Sequence, residues 1–94
     1  MCTYATVNIA ATGSAKTDER WRRIDGATVY FDHPVHALAD HTLNIDFAVP
    51  SAGPAGRVAL ELTADTALAL AAAIQDAIAS APPALVAESV ARAS

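Results

Sequence analysis

Alternation of apolar and polar side chains is the feature that most constrains the fold of this chain. It is clearest over residues 42–49, where Leu43, Ile45 and Phe47 are separated by polar or small residues. A period of two is typical of a β-strand that buries one side in a core and turns the other away from it. The pattern therefore predicts a half-buried strand at this position.

Three other segments repeat the same alternation, at residues 2–11, 27–32 and 57–62. The polar stretch 14–26 between the first two predicts either a long connection or an early extension of the second strand. In the first case Trp21 would fold back onto the rim of the core. Four strands that each keep one apolar phase predict an antiparallel sheet with one covered face.

A helix is predicted after the fourth strand. Thr63 is a favourable N-cap, and Asp65 in the first turn suits the helix dipole. The helix should run to about Ala79. Its apolar stripe at helical spacing consists of Ala67, Ala71, Ile74 and Ile78.

The order of these elements defines the expected architecture. We predict an α+β fold of β-β-β-β-α order, in which a four-stranded antiparallel meander carries one helix on one face in two layers. Residues 1–81 would form this single domain. Pro82 and Pro83 end the helix, and residues 82–94 are expected to be a tail that forms a short helix or frays.

Length and charge limit the classes of partner. A chain of 94 residues supports one modest core, so pairing with a second copy, most simply as a dimer, is expected. The net charge of -4 argues against nucleic acid as a partner. No apolar run approaches the roughly 20 residues that cross a bilayer, and no secretory signal begins the chain, so a cytoplasmic location without membrane partners is expected. One cysteine, Cys2, excludes an internal disulfide.

The polar phase of the strands is the candidate site. It has no lysine and is rich in Tyr, Asn, Asp and Thr, which hydrogen-bond at low entropic cost. This composition suits a ligand-binding floor or a dimer interface with polar pockets, although a sheet face that simply meets water explains it equally well. The candidate ligand-binding residues are Cys2, Tyr4, Asn8, Asp32 and Asn44.

All three histidines of the chain fall between the second and third strands, at His33, His36 and His41. With Asp46 they could bind a divalent transition metal, because imidazole and carboxylate are common ligands of such ions. The spacing matches no specific metal signature. Histidines of an ordinary loop that bond to the backbone are the simpler alternative.

A metal-free catalytic site is a second hypothesis for the same region. His33 or His36 could act as a general base. Asp46 or Asp32 could orient the imidazole, and Tyr30 or Tyr4 could donate to a developing oxyanion. Cys2 could contribute if removal of Met1 exposed its amine and thiol. A thiol packed at the start of the first strand is the simpler explanation of Cys2.

Three segments resemble the hallmark segments of a family of short bacterial proteins that is catalogued as a domain of unknown function. These are Met-Cys-Thr-Tyr at residues 1–4, the stretch with Phe-Asp-His-Pro-Val-His at 27–37, and His-Thr-Leu-Asn-Ile-Asp-Phe at 41–47. The resemblance covers most of the chain to about Ala79. It implies no activity, but it marks the distinctive side chains of the family: Asp32, His33, His36, His41, Asn44 and Asp46.

These observations lead to three hypotheses about function. The first is a small homo-oligomer that holds a metal ion or a small polar molecule on the polar sheet face, next to the histidine loop. The second is a metal-free enzyme of the isomerase or lyase type, which uses a His-Asp pair and Tyr30. The third is a structural homo-oligomeric module. Whether the protein catalyses a reaction is left open by the sequence.

Overall fold

The computed structural model describes residues 5–18, 20–33, 41–53 and 56–93, with side chains in the last range described to residue 88. Two compact units divide the chain, Met1–Thr63 and Ala64–Ser94. The first holds the β-sheet and the second holds the helices, which gives an α+β fold.

The first unit is a four-stranded sheet in which sequence neighbours are also spatial neighbours. Its strands are β1 (Thr6–Thr17), β2 (Arg20–Asp32), β3 (Thr42–Ala48) and β4 (Arg57–Leu62). They lie in the order β1-β2-β3-β4, and each neighbouring pair is antiparallel. This confirms the predicted meander, and the bounds of β4 are those that the alternation predicted.

The register places the apolar side chains on one face. Val29 of β2 pairs with Val7 and with Ile45, and Ile45 pairs in turn with Leu60. Directly paired residues project to the same side of a sheet, so this row crosses all four strands on a single face. We call it the apolar face, and the predicted phase of each strand is confirmed.

The main departure from prediction is the length of the first hairpin. β1 continues through a bulge between Ala10 and Gly13, after which residues 13–17 pair with residues 20–24. We call these two paired segments the β-arm. The alternative of an early extension of the second strand is therefore confirmed. A Trp21 folded back onto the core rim is not observed, because Trp21 is 67% exposed.

The segment between β3 and β4 is held by its own backbone. The N–H of Val49 donates to the carbonyl oxygen of Gly56 (3.1 Å), and the N–H of Gly56 donates to the carbonyl oxygen of Gly53 (2.9 Å). A short 3-10 helix, Pro50–Ala52, lies inside this closure. Val49 is 2% exposed, which makes it one of the most deeply buried side chains that the structure describes.

The second unit contains α1 (Ala64–Ser80) and α2 (Pro83–Ala93). The end of α1 lies within a residue of the predicted position, and the predicted tail contains a helix. No residue of α1 is buried. The seating of α1 on a sheet face therefore stays a prediction. Within the described part of the chain, neither helix has the length and apolarity needed to cross a membrane.

Candidate functional site

The side of the sheet opposite the apolar face carries the polar side chains, and we call it the polar face. Tyr30 pairs with Thr6 and Asn44, and Asn44 pairs with Glu61. A second row runs from Asn8 through Thr28 to Asp46. The strand phase that the sequence predicted is therefore correct on this face too.

Asp46 is the centre of the hydrogen bonding on the polar face. Its Oδ2 accepts a hydrogen bond from the Tyr30 hydroxyl (3.1 Å) and an ion-paired hydrogen bond from the Arg57 guanidinium (2.8 Å). The Asp46 side chain is 19% exposed and that of Arg57 is 59% exposed. The carboxylate is thus fixed between β2 and β4, while much of the guanidinium remains open to solvent.

The hydroxyl of Tyr30 responds to this setting. Burial raises the pKa of Tyr30 above its ordinary value of 10.0, and the hydrogen bond and negative charge of Asp46 raise it further. The positive charge of Arg57 lowers the pKa, but it does not outweigh the other causes. Tyr30 is therefore a protonated hydrogen-bond donor at neutral pH and a weak acid.

The next pair along the row joins β1 to β2. The Thr28 hydroxyl donates to Oδ1 of Asn8 at 2.7 Å. This bond fixes the amide of Asn8 by its oxygen, and Asn8 itself is exposed. The amide nitrogen of Asn8 can therefore donate to a bound molecule.

A groove of about 620 Å³ lies along this row. Its polar lining comes from Asn8, Thr28, Asp46 and Arg57, and residues with small side chains line it as well. Those small residues are Gly26, Ala27, Ala48 and Gly56. Small side chains leave room above the backbone, so the polar groups converge on open space.

Asn44 and Thr42 form a second polar pair, but this pair is buried. Thr42 is 0% exposed and Asn44 is 5% exposed. The Thr42 hydroxyl donates to Oδ1 of Asn44 at 2.7 Å. The predicted ligand-binding residue Asn44 thus has its amide oxygen engaged inside the sheet, where it contributes to stability.

The described histidines lie at the end of β2 and the start of β3. The rings of His33 and His41 have centroids 4.5 Å apart, and His41 stacks on Phe31 at 5.8 Å. Phe31 pairs with Leu43, which belongs to the apolar face. The imidazole pair is therefore attached to the apolar side of the sheet.

Asp32 and Asp46 lie apart from each other along the strands. The backbone N–H of His33 donates to Oδ1 of Asp32 at 2.7 Å. Asp46 pairs with Thr28, four residues before Asp32, which is on the order of 13 Å along the strand. Among the described residues, the hydrogen-bond partners of the Asp46 carboxylate are Tyr30 and Arg57.

The predicted metal-ligand set is only partly described. Among the described residues, no group of three or more His, Cys, Asp or Glu side chains is placed to hold a metal ion. His36, Cys2 and Tyr4 lie outside the described residues. The metal site of His33, His36, His41 and Asp46 and the catalytic set of His33, His36, Asp46 and Tyr30 therefore stay predictions.

Arg57 is the site residue that the sequence reasoning did not select. The alternation over residues 57–62 puts Arg57 on the polar phase of β4, but its role depends on the pairing of Ala48 with Arg57. That register brings the guanidinium beside Asp46, two residues earlier on β3. Alternation gives the phase of a strand but not its register. The sequence therefore predicted the face on which Arg57 lies but not its contact with Asp46.

The fold and this face define a small α+β protein, in which an open antiparallel meander presents a polar groove. A family model described as a family of unknown function, DUF6295, matches residues 1–87. The chain belongs to that family. No curated protein and no solved structure matches this chain.

Proposed function

We propose that this protein binds a small polar molecule in the groove of the polar face. The observation that carries the proposal is the Asp46–Arg57 ion pair on the groove lining, 2.8 Å between Oδ2 and the guanidinium nitrogen. A fixed carboxylate and a largely exposed guanidinium side by side present one negative and one positive group to the same space.

Opposite charges at short range favour a ligand that carries both charges. The guanidinium of Arg57 suits a carboxylate, since its planar fork matches two carboxylate oxygens. The carboxylate of Asp46 suits an ammonium group, and Asn8 adds an amide donor. The ligand class that this set fits is a small zwitterion, such as a free amino acid.

The other hypotheses for this face have less support. A metal ion needs several oxygen, nitrogen or sulfur ligands, and among the described residues no group of three or more such side chains is placed to hold one. A His-Asp pair built on Asp46 would need an imidazole at its carboxylate, whereas the described histidines, His33 and His41, are attached to the apolar side of the sheet. We therefore favour binding without metal or proton transfer at this groove.

Calorimetric titration with three related probes tests the ligand class. L-serine carries both charges, lactate lacks the ammonium group, and ethanolamine lacks the carboxylate. We expect L-serine to bind and the two truncated probes to bind at least about tenfold more weakly, because each probe can make only one of the two charged contacts that the zwitterion makes. Equal binding of all three, or no binding of L-serine at millimolar concentration, would contradict the proposal.

A pair of charge-matched variants locates the binding. Arg57→Gln removes the guanidinium from the groove, and Arg92→Gln removes the same charge from α2. We expect the first variant to lose L-serine binding and the second to keep it. Tight binding of Zn²⁺ that survives Arg57→Gln would instead favour the metal hypothesis.

A further inference from the structure

The β-arm differs in charge from the rest of the molecule. Four of the six basic residues lie between positions 16 and 23, together with two acidic residues. The remaining chain has two basic residues and eight acidic ones. Residues 16–23 thus have a net charge of +2, whereas the rest of the chain has a net charge of -6. The four basic residues are Lys16, Arg20, Arg22 and Arg23.

Three of these basic side chains are available to a partner. Arg22 is engaged, since its guanidinium donates to Oγ of Ser51 at 3.1 Å. Lys16, Arg20 and Arg23 are exposed, and none of them forms an ion pair with another described residue.

Trp21 shares one side of the β-arm with two of these cations, Lys16 and Arg23. It pairs directly with Lys16 across the β-arm and is 67% exposed. Trp21 and Arg23 project to the same side of β2, because they are two residues apart. An exposed tryptophan flanked by cations has the composition of an interface hot spot, where aromatic and arginine side chains dominate the binding energy.

The β-arm also extends beyond the remainder of the sheet. β3 pairs with β2 from Gly26 to Asp32. In the part of the chain that the structure describes, residues 20–24 of β2 therefore have β1 as their neighbouring strand and no third strand beside them. A groove of about 440 Å³ lies beside the bulge, lined by Trp21 and Arg23 among others. A two-stranded ribbon of this kind gains stability when it is covered.

We infer that the β-arm is an interface for a second copy of this chain, with Trp21 as its anchor. Charge complementarity favours this occupant, because each copy carries both the basic β-arm and an excess of acidic residues elsewhere in its sequence. A net charge of -4 disfavours a polyanion as the partner. In a two-fold dimer both β-arms would make the same contact, so each interaction counts twice.

The single tryptophan allows a direct test on the full-length protein. Sedimentation gives the monomer–dimer midpoint over a dilution series, and Trp21 fluorescence is read on the same samples. We expect a blue shift of the emission with the same midpoint as dimer formation, because Trp21 leaves water only in the dimer. A monomer at all concentrations, or a dimer in which the emission stays that of a solvated indole, overturns the inference.

Variants separate the anchor from the charges. Trp21→Ala and the double variant Lys16→Glu/Arg23→Glu, which reverses the two charges on the side of Trp21, should each raise the dissociation constant by about tenfold or more. Trp21→Phe should have a smaller effect, and Arg92→Glu serves as the control for charge outside the β-arm. Added salt should weaken the wild-type dimer. Circular dichroism confirms that each variant is folded, and unchanged dimerisation of folded Trp21→Ala contradicts the inference.

Two other partners are distinguished in the same series. Binding to phosphatidylserine vesicles with a blue shift of Trp21, in a protein that stays monomeric, would assign the β-arm to an anionic membrane surface and overturn the inference. Binding of a DNA duplex would assign the β-arm to nucleic acid and would likewise overturn the inference. The β-arm shares none of the polar lining of the groove on the polar face. The outcome of the dimerisation experiments is therefore independent of the ligand titrations.

Discussion

Asp46 joins two strands of the sheet through one oxygen atom. Its Oδ2 accepts from Tyr30 on β2 and from Arg57 on β4, so one carboxylate fixes the orientation of both side chains. Burial is the largest cause of the raised pKa of Tyr30, and the negative charge of Asp46 raises that pKa further. At the scale of single residues, the groove therefore depends on Asp46 more than on any histidine.

This coupling predicts the alkaline behaviour of the protein. The pKa of Tyr30 is raised in the folded state, so its contribution to stability is complete below the ordinary value of 10.0 and is lost as pH rises through the higher folded value. Asp46→Asn should lower the pKa of Tyr30, because it removes the negative charge. Ultraviolet titration of phenolate formation measures this.

The chain has two tyrosines, so Tyr30→Phe provides the control that identifies the Tyr30 transition. A transition assigned to Tyr30 at the same pH in the wild type and in Asp46→Asn would show that the carboxylate does not act on it.

Gly56, in the turn before β4, is a position where a larger side chain should reduce the stability of the fold. A Cβ there would lie 2.5 Å from the Cβ of Ala52 and 2.8 Å from the carbonyl oxygen of Val49. The backbone atoms cannot yield easily, so Gly56→Ala should reduce the free energy of unfolding by about 1–3 kcal/mol. Chemical denaturation measures the change.

Gly13→Ala is the matched control for this substitution. Its Cβ would meet only Ile24, at 3.8 Å, which is an ordinary contact. We expect a change within about 0.5 kcal/mol. Equal effects of the two substitutions would mean that the closure of residues 49–56 is not as tight as described.

At the scale of elements, β3 is an inner strand and β1 is an edge strand, and a threonine–asparagine hydrogen bond lies within β3 while another joins β2 to β1. Thr42 and Asn44 hydrogen-bond within β3, where both are buried, whereas Thr28 bonds to exposed Asn8. Water can replace a lost bond at the edge but not at the centre. Burial therefore decides what each bond contributes.

Substitution of each threonine by valine tests this difference. Thr42→Val keeps the shape but leaves Oδ1 of Asn44 without its donor, and should cost about 1–3 kcal/mol of unfolding free energy. Thr28→Val should cost less than about 0.5 kcal/mol. Urea unfolding compares them, and a neutral Thr42→Val would contradict the buried bond.

Sequence alternation was sufficient for the sheet because each strand between residues 27 and 62 has one apolar and one polar side. It was insufficient for the β-arm, whose strands pair outside the core and so need no apolar phase. Trp21 was consequently assigned two alternative positions. The polar lining of the groove was predicted only in part: strand phase places Asn8 and Asp46 on the polar face, whereas the contact of Arg57 with Asp46 requires the register of β3 with β4.

At the scale of the whole molecule, few side chains are fully buried. Ala27 and Val49 are the buried apolar residues among those described, while Val7 and Ile9 are each more than half exposed. A chain of 94 residues gains little from so small a buried set. Association with a second copy through the β-arm would supply further burial, which connects the proposed dimer to stability.

Binding of a zwitterion between Asp46 and Arg57 can be followed residue by residue, through the backbone amide shifts of ¹⁵N-labelled protein during titration with L-serine. We expect saturable shifts centred on Asn8, Thr28, Asp46 and Arg57, which Arg57→Gln abolishes. Shifts confined to the His33–His41 end of the sheet, or no shifts at millimolar L-serine, would contradict it.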